Sequence, residues 1–318
     1  MKVFVTGATG AIGTQLVPRL VARGHDVVGM TRWRTSRDAV RALGAQPVVA
    51  DALDEEAVWH AVMDAAPEIV VHKATALRGA VNMRRLDRYY AATNRLRTEG
   101  TDHLLAAARD AGVRRFVAQS YAGWPFARTG GPIKSEEDPL DPHPPAALRE
   151  TLDAIRHLET AVAGVPWAEG IVLRYGTFYG PGTGISADPE ATVTKPVLKR
   201  QFPLVGAAGG VWSFVHVTDA ATATVEAIEH GAAGIYQVVD DEPAPVSEWL
   251  PELARVLDAR SPRRLPSWLG RLAAGEAATL MITDVRGASN GKTKRELGWQ
   301  PRHPSWRTGF AEAVARAA

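Results

Sequence analysis

A chain of 318 residues, 46% of them hydrophobic, can bury one large core or a nucleotide-binding domain with a smaller one attached. With 37 Lys and Arg against 35 Asp and Glu, a net charge of +2 and no Cys, it lacks the field that gathers nucleic acid or anionic membrane, and it lacks thiolate catalysis, disulfides and cysteine-ligated metals. No apolar run approaches the roughly 20 residues that span a bilayer, and Met1-Lys2-Val3-Phe4-Val5 runs straight into glycines without a signal-peptide core. The expectation is a soluble, cytoplasmic protein whose partner is a small molecule rather than nucleic acid or membrane, with a homodimer as an assembly open to it.

Lys2–Thr6 reads as a buried strand, Gly7–Gly13 as a glycine turn and Thr14–Arg23 as a helix ended by Gly24. Further strands are predicted at Asp26–Met30, Gln46–Ala50, Ile69–His72 and Arg115–Gln119, with helical stretches between them. The clearest helix is Thr98–Ala111, where Leu104, Leu105 and Ala108 share a face and Gly112 ends the element. Alternation of this kind specifies an α/β fold with a doubly wound parallel sheet. From Pro125 to Pro145 the chain is rich in Pro, Gly and acidic residues, which predicts a long exposed loop of the sort that borders active sites. A helix at about Ala147–Ala163, a strand at Gly170–Arg174 and a break at Gly180-Pro181-Gly182 follow, with a return to the sheet around Val215–Val239.

Gly7-Ala8-Thr9-Gly10-Ala11-Ile12-Gly13 places three glycines at three-residue spacing where a strand becomes a helix. Lack of a side chain permits the tight turn, lets backbone approach a pyrophosphate and lets helix pack on strand, while free N–H groups at the helix start face the anion. This is the fingerprint of a Rossmann dinucleotide site. It divides the chain into a Rossmann domain of residues 1–176 plus about 215–240 and a smaller, mainly C-terminal substrate lobe of about 177–214 plus 241–318. After the second strand, Met30-Thr31-Arg32-Trp33-Arg34 offers no carboxylate to a ribose 2′-hydroxyl, and Arg32 and Arg34 suit a 2′-phosphate, so NADP is favoured over NAD. Asp51, followed by Ala52, reads either as an acceptor for the adenine amino group or as a cap for the helix beginning near Asp54. His72, on an apolar strand, reads as a satisfied core histidine, and neither it nor His157 sits with carboxylates at ligand spacing, so no metal is expected.

The chain resembles the extended short-chain dehydrogenase/reductases of the NAD(P)-dependent epimerase/dehydratase group almost end to end. The resemblance is carried by Thr6–Gly13, Val71-His72-Lys73-Ala74-Thr75, Asn94 with Gly100-Thr101, Arg115-Phe116-Val117, Leu173-Arg174-Tyr175-Gly176, Tyr179-Gly180-Pro181-Gly182, Phe214–Ala220, Ile235–Val238 and Lys294–Trp299. It implies that Ala74, Thr75 and Ala76 line the nicotinamide ribose, that Tyr175, Gly176 and Thr177 flank the nicotinamide, and that Gln119 joins the cofactor contacts. The family's chemistry uses a Ser or Thr after the fifth strand and a Tyr-x-x-x-Lys on the next helix. Taking Glu159 as the family's glutamate in that helix puts Thr151 at the Tyr position and Ile155 at the Lys position, and Ile155 can neither hold a ribose nor lower a phenol pKa.

In Gln119-Ser120-Tyr121-Ala122-Gly123-Trp124, Tyr121 takes the place of the catalytic Ser or Thr. Tyr121 is therefore the preferred proton donor, with Ser120, Thr151, Tyr175 and Tyr179 as the other candidates. Lys134 reads either as a surface lysine or as a loop residue reaching an anionic substrate. Trp124, Phe126, Trp212 and Phe214 fall beside the segments expected to line the cleft and, with Tyr179, suit a cyclic or aromatic substrate, with core packing the other reading of Phe214. The expected function is an NADP-preferring oxidoreductase with an altered Ser/Tyr/Lys set. The alternatives are a nucleotide-sugar epimerase or dehydratase and a non-redox dinucleotide-binding sensor or scaffold.

Overall fold

The computed structural model describes residues 1–77, 81–83 and 85–315. Seven strands form its central sheet: β1 (Lys2–Thr6), β2 (Asp26–Thr31), β3 (Gln46–Val49), β4 (Ile69–His72), β5 (Arg115–Tyr121), β6 (Glu169–Tyr175) and β7 (Gly234–Val238). Their spatial order is β3-β2-β1-β4-β5-β6-β7, and every pair is parallel. Runs such as Val3-Phe4-Val5 and Ile69-Val70-Val71 are buried on both faces, as a parallel sheet covered by helices requires. The order reverses between β1 and β4, so a crevice opens beyond the carboxyl ends of those strands, where such sheets bind ligands.

Helices Gly13–Ala22 and Val217–His230 cover one face through Leu16, Val17, Leu20, Ala220 and Ile228. Helices Glu55–Ala65, Glu99–Asp110 and Arg149–Ala163 cover the other through Val58, Val62, Leu104, Leu158 and Val162. A separate core gathers Tyr179, Phe214, Trp249, Trp306 and Phe310. Phe214 lies 5.1 Å from Phe310 and 5.5 Å from Trp249, ring to ring, so of the two readings of Phe214 its ring takes the core one, packing this separate core. Among the described residues, no helix is long and apolar enough to cross a membrane.

Three boundaries differ from the sequence reading in ways that matter for the site. First, β5 runs to Tyr121, in register with Tyr175 of β6, and Ala122 N–H continues the ladder to Tyr175 O at 2.8 Å. Second, the helix predicted over Thr98–Ala111 is entered from another, Leu86–Arg97, with a break at Thr98 (φ −96°, ψ −88°). Third, the 125–145 segment is partly pinned: Ile133–Lys134 pairs with Gly287–Ala288, and Lys134 Nζ donates to Thr129 O at 2.6 Å and Asp138 Oδ1 at 3.1 Å. Lys134 is buried, which corrects both readings of it: its ammonium holds its own loop. Among the described residues, Glu226, Glu229 and His230 lie at metal-ligand spacing, at the end of a surface helix where Arg23 pairs with both carboxylates.

Candidate active site

The glycine turn is shaped by close backbone approach. Gly7 has φ +68°, and a Cβ there would sit 2.7 Å from Lys73 O. At Gly13 a Cβ would meet Gly7 O at 2.3 Å, so the helix presses directly on the turn. Gly10 is different, since among the described residues a Cβ there meets Gly7 O alone, at 3.2 Å. The helix begins without a side-chain cap at Ile12, which leaves its first N–H groups for an anion. A Cβ on Gly182 would lie 3.9 Å from the Ala11 Cβ, so the Gly180–Gly182 segment passes over the turn. An uncapped helix start beside a side-chain-free surface fits a dinucleotide pyrophosphate, which Gly7, Thr9, Gly10, Ala11, Ile12 and Gly13 would hold.

Side-chain hydrogen bonds tie β1 to β4 beneath that turn. Thr6 Oγ1 accepts from Lys73 N at 3.1 Å and Ala74 N at 3.2 Å, so its own proton goes to His72 Nδ1 at 2.9 Å. His72 Nε2–H then donates to Leu96 O at 3.2 Å. Burial pushes the His72 pKa down to about 4, and the neutral ring is structural. The segment that follows presents Ala74, Thr75 and Ala76 along the crevice, with Ala76 N anchored on Thr93 Oγ1 at 3.1 Å.

Thr31 is buried at the end of β2, while Arg32, Trp33 and Arg34 are exposed, with the Arg32 guanidinium 4.6 Å over the Trp33 ring. Neither arginine pairs with a carboxylate among the described residues. Asp54, not Asp51, caps helix Glu55–Ala65, accepting from Ala57 N at 3.0 Å. Asp51 instead closes its own turn onto Leu53 N at 3.1 Å, beside buried Ala52.

Several residues offered as acid–base or substrate groups are committed elsewhere. Ser120 Oγ donates to Glu159 Oε1 at 2.6 Å, and the same carboxylate takes Arg174 Nε at 2.8 Å and Nη2 at 2.6 Å. Phe126 is buried beneath that guanidinium. Tyr175 is also buried. Thr224 gives its proton to Ala220 O at 2.7 Å, so Tyr175 O–H must donate to Thr224 Oγ1 at 2.6 Å while accepting from Lys73 Nζ at 2.6 Å. A Tyr–Lys pair thus exists, but inside the core, where burial pushes the phenol pKa up and the amine pKa down. Gly176 is pressed on Ser213, with a Cβ there 2.7 Å from Ser213 O. Tyr179 is buried edge-on to Phe310 in the smaller lobe. These contacts correct the placement of Ser120, Phe126, Tyr175 and Tyr179 as groups facing a ligand.

What remains forms one wall. Half-buried Gln119 and Tyr121 lie at the end of β5, and Tyr121 Oη meets Thr177 Oγ1 at 3.2 Å. Gly123, at φ +137°, leaves room for that ring, since a Cβ there would approach it to 3.2 Å. Burial pushes the Tyr121 pKa up, which favours a proton donor over a base. Buried Thr151 accepts from Asn94 Nδ2 at 3.1 Å, and Ile155 is buried one turn further on. Trp124, Leu148, Leu152 and Ile155 make an apolar bed, with Tyr90, Tyr121 and Trp212 at its margin. Trp212 Nε1 donates to Met281 O at 2.7 Å, so it offers a ligand only its ring. Thr177, placed beside the nicotinamide by resemblance, belongs to this neighbourhood, and so do Tyr90, Lys73 and Arg97, which escaped the sequence reading of the site. For Tyr90 and Arg97 the available signal was their spacing with Asn94 on one helical stripe.

Residues 3–239 match the NAD dependent epimerase/dehydratase family. A 3-diazoavenalumate denitrifying reductase from Streptomyces sp is 49% identical over 98% of this chain and 99% of its own length. A 4-hydroxy-2-methyl-3-oxo-4-farnesyl-3,4-dihydroquinoline-1-oxide ketoreductase from Stigmatella aurantiaca is 29% identical over 79% of this chain and 71% of its own length. The UDP-glucose 4-epimerase of Thermus thermophilus, solved with NAD, shares the fold at a TM-score of 0.74 and 25% identity, covering 99% of this chain and 98% of that one. With a parallel seven-stranded sheet, a glycine turn at its switch point and this matched span, the chain belongs to the NAD dependent epimerase/dehydratase family of extended short-chain dehydrogenase/reductases, and is an NAD(P)-dependent enzyme.

Proposed function

We propose that this enzyme is an NADP-preferring oxidoreductase that reductively removes nitrogen from a diazo-bearing, planar organic acid. The observation that carries this reading is the absence of an acid–base pair at Thr151 and Ile155, both buried, one bonded to Asn94 and the other apolar. Bound nicotinamide dinucleotide supplies a hydride. Exchange of a diazonium group for hydride forms a C–H bond, releases dinitrogen and takes up no proton, whereas reduction of a carbonyl takes up one proton per turnover. A site without the family's Tyr and Lys suits the first reaction. The 49% identical relative that is a denitrifying reductase of a diazo acid supports the same assignment. In this reading the wall formed by Trp124, Tyr121 and Trp212 orients a flat ring and excludes water.

A second reading, reduction of a ketone, is favoured by Tyr121, whose hydroxyl meets, among the described residues, only the Thr177 side chain and so remains able to give up a proton. Turnover of an aryl diazonium carboxylate with NADPH deuterated at the transferred position separates the two. Denitrification places deuterium on the ring carbon, yields one dinitrogen per NADPH and leaves Tyr121→Phe near wild-type turnover. Carbonyl reduction needs Tyr121 as general acid, and Tyr121→Phe then costs roughly 10²-fold or more in turnover. A large loss for Tyr121→Phe on the diazonium substrate would sink the proton-free reading.

The preference for NADP rests on Arg32 and Arg34, exposed after β2 and free of carboxylate partners among the described residues. Calorimetric titration is expected to give at least about tenfold tighter binding of NADP than of NAD, with Arg32→Ala removing most of the difference. Equal affinities, or no loss on Arg32→Ala, would make these arginines solvated surface charges.

A further inference from the structure

Arg97 ends helix Leu86–Arg97 and, among the described residues, is a partly buried cation near the candidate site whose charge is poorly satisfied. Its side chain is half-buried, yet the one hydrogen bond it makes to a described residue is weak, from Nη1 to Asn94 Oδ1 at 3.5 Å. Among the described residues it has no carboxylate at ion-pair distance, in contrast to Arg174, doubly bonded to Glu159 within the same layer. Tyr90, Asn94 and Arg97 stand at i, i+4 and i+7 on one stripe. The Asn94 Nδ2 bond to Thr151 Oγ1 brings that stripe against helix Arg149–Ala163.

Helical side chains lean toward the N-terminus of their helix, which carries the guanidinium back beside Asn94, level with Thr151. Tyr90 and, at longer range, Glu159 act on its charge, and Tyr121 acts on Tyr90 in turn. The guanidinium therefore stands next to the place where the family's Tyr would be. Burial lowers its pKa to about 10, so it stays charged in neutral solution. A desolvated charge with no carboxylate at ion-pair distance among the described residues is costly, and an arriving anion offsets that cost.

We propose that Arg97 is the anion-recognition residue of the substrate site, pairing its planar fork with a substrate carboxylate. Such a pair is bidentate and charge-assisted, which a neutral ribose diol does not match. The proposal deepens the functional reading above, which already calls for an organic acid, and it assigns the residue that reads the acid group.

The test uses binding, so that it is independent of whether a diazo compound is turned over. The NADPH-loaded protein is titrated with cinnamate and with cinnamamide, which differ only in the anionic group. Wild type is expected to bind the acid at least roughly tenfold more tightly. Arg97→Met keeps the side-chain length and should erase that preference, Arg97→Lys should keep part of it, and both variants should hold NADPH within about twofold of wild type. Equal binding of acid and amide, or no binding of cinnamate, overturns the proposal. So does a Met variant that loses NADPH while keeping the acid preference, which would place Arg97 on the cofactor. Failure to reduce an aryl diazonium carboxylate, with the acid preference intact, would reject the denitrifying reading and leave the Arg97 assignment standing.

Discussion

Gly10→Val is expected to give a folded protein that has lost its dinucleotide, whereas Gly13→Val is expected to damage the fold itself. The two glycines are three residues apart in one turn, and their surroundings differ. A Cβ at Gly13 would lie 2.3 Å from Gly7 O and 2.5 Å from Ala8 O, both backbone atoms that cannot rotate away. The helix start would have to move off the turn, at a cost of about 3 kcal/mol or more. At Gly10 a Cβ meets, among the described residues, only Gly7 O, at 3.2 Å, so the chain tolerates the branch while its methyl groups fill the pyrophosphate space. Thermal melts followed by circular dichroism, with fluorescence titration of NADPH, separate the two effects. The expected result is a near-wild-type melt for Gly10→Val with an affinity loss of roughly 100-fold or more. A Gly10→Val protein that retains its dinucleotide would remove this turn from the site.

Glu159→Ala should be the most damaging single substitution away from the glycine turn. Glu159 holds Arg174 through two bonds of 2.8 and 2.6 Å and takes the Ser120 hydroxyl at 2.6 Å. All three residues are buried. Truncation leaves an uncompensated guanidinium in the core and an unsatisfied hydroxyl, a loss of about 3–5 kcal/mol. Among the described residues, the charge then has only a distant carbonyl, Glu136 O at 3.5 Å, and the Phe126 ring at 5.6 Å. Chemical denaturation reads the loss as a shifted midpoint with an unchanged slope. The double variant Glu159→Leu with Arg174→Met removes both charges together and should recover most of the stability. If the single variant is as stable as wild type, the pair is not desolvated as described. If the double variant is no better than the single one, the damage comes from packing and not from the stranded charge.

These two outcomes also mark how far a linear reading of the chain reaches. Gly7, Gly10 and Gly13 were legible because the constraint on them is local. Strand, turn and helix follow one another within a dozen residues, and the steric demands of the turn are set by neighbours in sequence. The same holds for the runs of Val and Ile that make β1 and β4, and for the departure at Thr151 and Ile155, where one residue type simply stands in place of another. Asp51 shows where local reading began to blur. Its short acidic side chain suits a turn or a cap, and only the bond from Ala57 N to Asp54 distinguishes the two.

Alternation of strands and helices, the glycine turn, the missing Tyr-x-x-x-Lys and the arginines after β2 were therefore determined by the sequence alone, since each depends on residues within a turn or two of one another. Which polar groups face the crevice was decided by the tertiary structure. Tyr175 is held by Lys73, 102 residues away, Ser120 by Glu159, 39 away, and Thr151 by Asn94, 57 away. A hydroxyl becomes available for chemistry only when no remote partner claims its proton, and no window of sequence contains that partner. Arg97 is the converse case, an ordinary charge in its helix that becomes a recognition group because folding removes water from it and brings it no carboxylate among the described residues.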